Sequence, residues 1–145
     1  MKYFILTLIS CLGITYLSAQ NASKNIHQII NIEQEELPSS VHIHIQSGNV
    51  EVKKAAGSRI WVCGSAKISI PNLYFLDHLI KNGRYELELT GDNRAIRIED
   101  KQKGSIMVKG QDCKEEIKYT IYVPEDISTV IVWDNETGDN IVMSD

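Results

Sequence analysis

The stretch Ser40-Val41-His42-Ile43-His44-Ile45-Gln46 decides the fold class of this chain. Its apolar and polar residues alternate strictly, and a period of two puts Val41, Ile43 and Ile45 on one face of an extended strand with His42 and His44 on the other. One side packs and the other stays wet. Val50 and Val52 continue the pattern beyond the turn Ser47-Gly48-Asn49. Further short segments of the same kind follow at 60–63, 67–70, 85–90, 95–99, 106–108, 117–123, 129–133 and 141–143. In 117–123 the residues Ile117, Tyr119, Ile121 and Val123 alternate with Lys118, Thr120 and Tyr122. Pro71 and Pro124 close two of these segments, because proline has no amide to donate to a sheet.

One segment breaks the period. Between Asn72 and Lys81 the apolar residues Leu73, Leu76, Leu79 and Ile80 fall three or four apart, with Asn72 suited to cap the start and Asn82-Gly83 to end the run. A single short amphipathic helix is expected, its face of Leu73, Leu76 and Ile80 laid on the sheet as a lid. The turns Ser47-Gly48-Asn49, Thr90-Gly91-Asp92 and Thr137-Gly138-Asp139 each precede β-prone residues, an echo that suits stacked strand units. The expected class is all-β with one short helix, built as a short β-solenoid or as a sandwich of short strands.

The first 19 residues are of another kind. Lys2 supplies a positive charge, Tyr3 to Leu17 is almost unbroken apolar sequence, and Ser18-Ala19 puts a small residue before Gln20. These are the three parts of a secretory signal peptide. We expect residues 1–19 to be removed and residues 20–145 to form one β-rich domain that is periplasmic, on the cell surface or secreted. A spanning helix would need about 20 apolar residues, and Ser10, Thr15 and Ser18 dilute this run. Leu8-Ile9-Ser10-Cys11 offers the rival of a lipobox, in which lipidated Cys11 would attach the protein to a membrane.

Removal of the segment takes Lys2 from 15 basic residues and none from 19 acidic ones, which moves the formal charge from -4 to -5. An acidic chain without a basic cluster disfavours nucleic acid as a partner. Cys63 and Cys113 would then be the remaining thiols. Paired, they would close a loop of about 50 residues and contribute on the order of 4 kcal/mol; unpaired, they pack as small hydrophobes.

Other residues carry candidate chemistry. His42 and His44, two apart on one strand face, can offer two imidazoles to one metal, with His27, His78, Glu33 or Glu51 as a further ligand. The plainer reading is a pair of solvent-facing histidines. Asp134, Glu136 and Asp139 crowd one turn as oxygen donors in the manner of a calcium loop, or simply as a polar hairpin. Trp61 and Trp133, with Tyr119 and Tyr122, can form a binding surface of flat rings, or pack across strands. Glu35-Glu36 and Glu115-Glu116 are adjacent acids that point to opposite faces of a strand, poor geometry for paired catalytic carboxylates. No nucleophile elbow, zinc-protease helix or phosphate loop is present.

The order of these pieces resembles the DUF4097 type of adhesin-like domain, close to the head domain of autotransporter adhesins. The resemblance rests on Val50-Glu51-Val52 after Ser47-Gly48-Asn49, the helix before 85–90, and Ile117-Lys118-Tyr119-Thr120-Ile121-Tyr122-Val123-Pro124 leading into 129–132 and Thr137-Gly138-Asp139. It implies an exported, non-catalytic β-rich module of the cell envelope, binding or structural, with no cofactor and an envelope or extracellular macromolecule as partner. Such domains often continue past the Gly-Asp turn, whereas this sequence ends at Asp145, so an exposed last strand is expected, open to self-association or to a strand-adding partner. Two alternatives stay open: a small periplasmic metal-binding protein using His42 and His44, and a secreted hydrolase whose site no motif reveals.

Overall fold

In a computed structural model, residues 21–32, 36–92, 94–101 and 104–144 are described. The apolar segment 1–19 with Cys11, and Glu33 and Glu35, lie outside them. The chain is all-β with one short helix. In order it forms β1 (Ala22–Asn31), β2 (Ser40–His44), β3 (Asn49–Ala55), β4 (Arg59–Ile68), α1 (Leu73–Lys81), β5 (Leu87–Gly91), β6 (Ala95–Asp100), β7 (Ile106–Val108), β8 (Gln111–Cys113), β9 (Glu115–Pro124), β10 (Thr129–Trp133) and β11 (Asn140–Ser144).

The strands make two main sheets. Sheet A runs β1-β4-β9-β3 and sheet B runs β11-β10-β2-β6-β5, while β7 and β8 form a separate hairpin. Alternate residues of both sheets feed one core: Ile26, Ile60, Val62, Ile121 and Val123 from sheet A, and Val41, Ile43, Ile96, Ile98 and Val130 from sheet B. The result is a two-layer sandwich. The solenoid alternative is corrected. A solenoid stacks every strand parallel on its predecessor, but here β1/β4, β4/β9, β5/β6 and β10/β11 are antiparallel, and parallel pairing is confined to β2/β6, β10/β2 and β3/β9. The three glycine turns are correspondingly unlike one another. Residues 45–48 cross from sheet B to sheet A, whereas the other two close antiparallel hairpins, β5–β6 and β10–β11.

Helix α1 starts as anticipated: the Asn72 side-chain oxygen accepts from the Phe75 amide at 3.0 Å. Its end is fixed by Gly83 at positive φ, whose amide donates to the Ile80 carbonyl. Leu76 is fully buried, with Phe75, Leu79 and Ile80 half-buried around it. Leu73, expected on the packed face, is instead exposed, because as the first helical residue it lies beyond the stripe 75, 76, 79 and 80 that meets the core.

Three strands depart from the sequence reading: β1, β4 and the short β8, which completes a hairpin with β7. β1 has inward positions 22, 24, 26, 28 and 30, and two of these are polar. Lys24 reaches Asp77 of α1 at 2.6 Å. The Gln28 amide group both donates to the Leu87 carbonyl at 2.8 Å and accepts from the Leu87 amide at 2.9 Å, tying sheet A to the start of β5. β4 is one strand where two were expected. Gly64 lies opposite Tyr119 of β9, so close to it that a Cβ would collide with the neighbouring Lys118 carbonyl. Glycine there permits close pairing instead of a turn. Tyr85, expected in a strand, is buried in the turn after α1. Among the described residues no helix is long and apolar enough to cross a membrane.

Candidate functional site

The outer face of sheet A is set by parity. Because Ile60, Val62, Ile121 and Val123 point inward, Trp61 and Tyr122 point outward, and the register places them directly opposite one another. Ile29 of β1 lies opposite Trp61 on its other side, and Lys53 of β3 lies beside Tyr122. The row Ile29–Trp61–Tyr122–Lys53 thus crosses all four strands, a span of about 14 Å at the usual strand spacing. Ile29 is 54% and Trp61 53% exposed. Lys53 closes the row with an ion pair to Glu51 at 3.3 Å. The neighbouring row is His27, Cys63, Thr120 and Glu51. A flat apolar stripe with an ion pair at one end and hydroxyl and imidazole groups alongside can hold an extended ligand by ring contact and orient it by hydrogen bonds.

The aromatic surface anticipated from the sequence is therefore split. Trp133 belongs to β10 and stacks on His44 across the outer face of sheet B, with ring centroids 5.1 Å apart and planes at 17°. Tyr119 is not a surface ring: it is buried, and its hydroxyl donates to the Tyr85 carbonyl at 3.1 Å. Burial raises the pKa of both Tyr119 and Tyr85, which keeps them neutral.

His42 and His44 do share the outer face of sheet B. His42 lies between Ile131 and Arg97, and His44 lies opposite Glu99 with its Nε2 2.9 Å from the Gln46 side-chain amide. Arg97 pairs with Glu99 at 3.1 Å. Of the further ligands suggested for this pair, His27 and Glu51 are on the outer face of sheet A and His78 is on α1 beside Asn82, while Glu33 lies outside the described residues. Among the described residues no group of three His, Cys, Asp or Glu side chains is placed to hold a metal.

The acidic turn is occupied by its own backbone. The Asp134 carboxylate accepts from the Glu136 amide at 2.9 Å and the Thr137 hydroxyl at 3.0 Å, and these bonds hold it below its ordinary pKa. Its main chain closes the turn with Asp139 and Gly138. Asn135 staples this turn to the carbonyl of Ile45. Both cysteines are free thiols. Cys63 lies on the outer face of sheet A and Cys113 in the core, so the sheet lies between their side chains and the pairing considered from the sequence is not made.

Sequence reasoning missed one cluster. Glu115 receives two hydrogen bonds from Arg84, at 2.8 and 2.7 Å, and one from the Tyr85 hydroxyl at 2.9 Å. Arg84 also donates to the Gly104 carbonyl at 2.7 Å. Glu115 is the main cause that raises the Arg84 pKa. No local pattern links Arg84 to Glu115; only the turn after α1 brings them together. The cluster anchors β9 and the segment at Gly104. Glu116, next in sequence, points the other way to Lys67 and Lys118. No family model, no curated protein and no solved structure matches this chain.

Proposed function

We propose that this chain is an exported, non-catalytic binding module of the cell envelope, adhesin-like in type, whose contact surface is the outer face of sheet A. The observation that carries this reading is the Ile29–Trp61–Tyr122–Lys53 row. Cross-strand packing covers about half of Trp61 and of Ile29, the other half of each stays in water, and contiguous exposed apolar surface is the usual mark of a contact site. Tryptophan and tyrosine are also residue types that concentrate binding energy in interfaces. Export rests on the composition of residues 1–19, and the adhesin-like type on the resemblance in residues 47–52 and 117–139. The metal-binding alternative is less well supported, since the His44 ring is already stacked on Trp133 and contacts Gln46.

The test is binding of the purified protein to isolated cell envelopes of the producing organism, compared with Trp61→Ala and Trp133→Ala. Trp61→Ala should weaken binding about tenfold or more, corresponding to about 1.4 kcal/mol or more, and Trp133→Ala should leave it nearly intact. Equal binding by wild type and Trp61→Ala would remove the assigned surface, and no binding by the wild type would remove the function.

A further inference from the structure

Sheet B ends in β11, and its residues are solvated on both sides. Ile141 and Met143 lie opposite Val132 and Val130, so they share the core-facing side, yet they remain 51% and 40% exposed; Val142, on the other side, is 59% exposed. Sheet A ends at β3 beneath this strand. Val50 of β3, Val132 and Ile141 line an open cleft of about 260 Å³ there. Among the described residues no strand bonds to the far edge of β11.

The four sheet edges are not equivalent. β3 carries Glu51, Lys53 and Lys54, β5 carries Glu88, and β1 carries Lys24 and is packed against α1. Charged or covered edges of this kind resist strand addition. β11, Asn140-Ile141-Val142-Met143-Ser144, has no charge and no proline, and among the described residues no strand covers its edge.

We propose that β11 is a self-pairing strand: two copies of this chain join β11 to β11 antiparallel about a twofold axis, fusing two five-stranded sheets into one. The sequence of β11 fits a second copy of itself. With Val142 on the axis, Val142 meets Val142 on the outer side and Ile141 meets Met143 on the core-facing side, so every central contact is apolar, with Asn140 opposite Ser144 at either end of the strand. Joining β11 to any other edge would set it against Glu51 and Lys53, Glu88, or α1, and head-to-tail pairing would not close. One short strand pair buries less than a standard interface, so the dimer is reversible and concentration-dependent. The pairing goes beyond the surface proposed on sheet A and is independent of it.

Light scattering and sedimentation of the purified protein over a dilution series should show monomer and dimer and nothing larger. Val142→Lys places two cations on the axis and should weaken the dimer about tenfold or more, with an unchanged melting curve because the side chain is mostly in solvent. In a Cys63→Ser background, Val142→Cys should form a disulfide-linked dimer on mild oxidation, since antiparallel partners sit at Cα distances of about 4.5–5.5 Å, within disulfide range. Glu88→Cys on the opposite edge should not. A strict monomer at every concentration with no crosslink, species larger than a dimer, or Val142→Lys dimerising as well as wild type would each overturn the proposal.

Discussion

Trp61 and Ile121 sit on adjacent strands of sheet A, yet truncating them should have opposite consequences. Ile121 is fully buried. Ile121→Ala should cost about 2–5 kcal/mol through lost burial and the cavity left behind, read by denaturant unfolding. Trp61→Ala, at a half-exposed outer position, should change stability by less than about 1 kcal/mol while reducing envelope binding. At Arg84 the expected loss is larger than at an ordinary surface ion pair, because both side chains are under one-fifth exposed. Arg84→Ala leaves Glu115 partly buried without its guanidinium and should cost about 3 kcal/mol. Removing both, as Arg84→Met with Glu115→Leu, should recover much of that loss. Acid should also weaken the fold. Asp77 (beside Lys24, then Lys81), Asp92 (amides of Arg94, then Ala95), Glu116 (Lys67, then Lys118) and Asp134 (Glu136 amide, then the Thr137 hydroxyl) all have folded pKa values below the ordinary 3.8 or 4.5. A lowered folded value means that the unfolded chain takes up protons first. The contribution is complete above the ordinary range and is lost as the pH falls through it towards the lower folded values. Melting temperatures measured from pH 7 down to pH 3 should therefore fall mainly at the acid end; a flat profile would show that these contacts do not act in solution.

At the scale of elements, what could be read from the sequence depended on whether one face carried a clean pattern. β2, β9 and α1 could be read because each buries an unbroken apolar set, and α1 adds its Asn72 cap and Gly83 stop. β1 could not, because Lys24 and Gln28 occupy inward positions and their partners, Asp77 and the Leu87 backbone, are distant in sequence. The alternation breaks at Gly64, so 60–63 and 67–70 read as two segments of what is one strand, β4. The outer row of sheet A was half-legible: Trp61 and Tyr122 stood out singly, but their adjacency comes from the β4–β9 register, and that register is fixed by burial on the other face. The same reasoning gives a prediction for the sheet-to-sheet tie. Gln28→Ala strands the Leu87 amide and carbonyl, and should cost about 1–3 kcal/mol and raise hydrogen exchange at Leu87 and through β5 more than in β9. Uniform exchange would mean that Gln28 does not hold that end of the sandwich.

For the whole molecule, composition and periodicity gave the class but not the topology. Three similar glycine turns suggested coils of equal rank, and only the pairing of distant strands distinguishes one sheet-crossing corner from two hairpin closures. The two outer faces then differ in what is left for a partner. Each face carries an exposed ion pair, Arg97–Glu99 on sheet B and Lys53–Glu51 on sheet A, but the Trp133 ring of sheet B is stacked on His44, whereas on sheet A Trp61 and Ile29 are both about half exposed. Export itself is checked by N-terminal sequencing of the protein recovered outside the cytoplasm, which should begin at Gln20; a start at Cys11 or Met1 would contradict the cleavage expected after Ala19. The most direct test of the central claim is an amide chemical-shift map of the labelled protein titrated with solubilised envelope material. Perturbations should cluster at residues 27–29, 61–63 and 120–122; a cluster on β2 and β10, or no perturbation at all, would contradict the assignment of sheet A as the contact face.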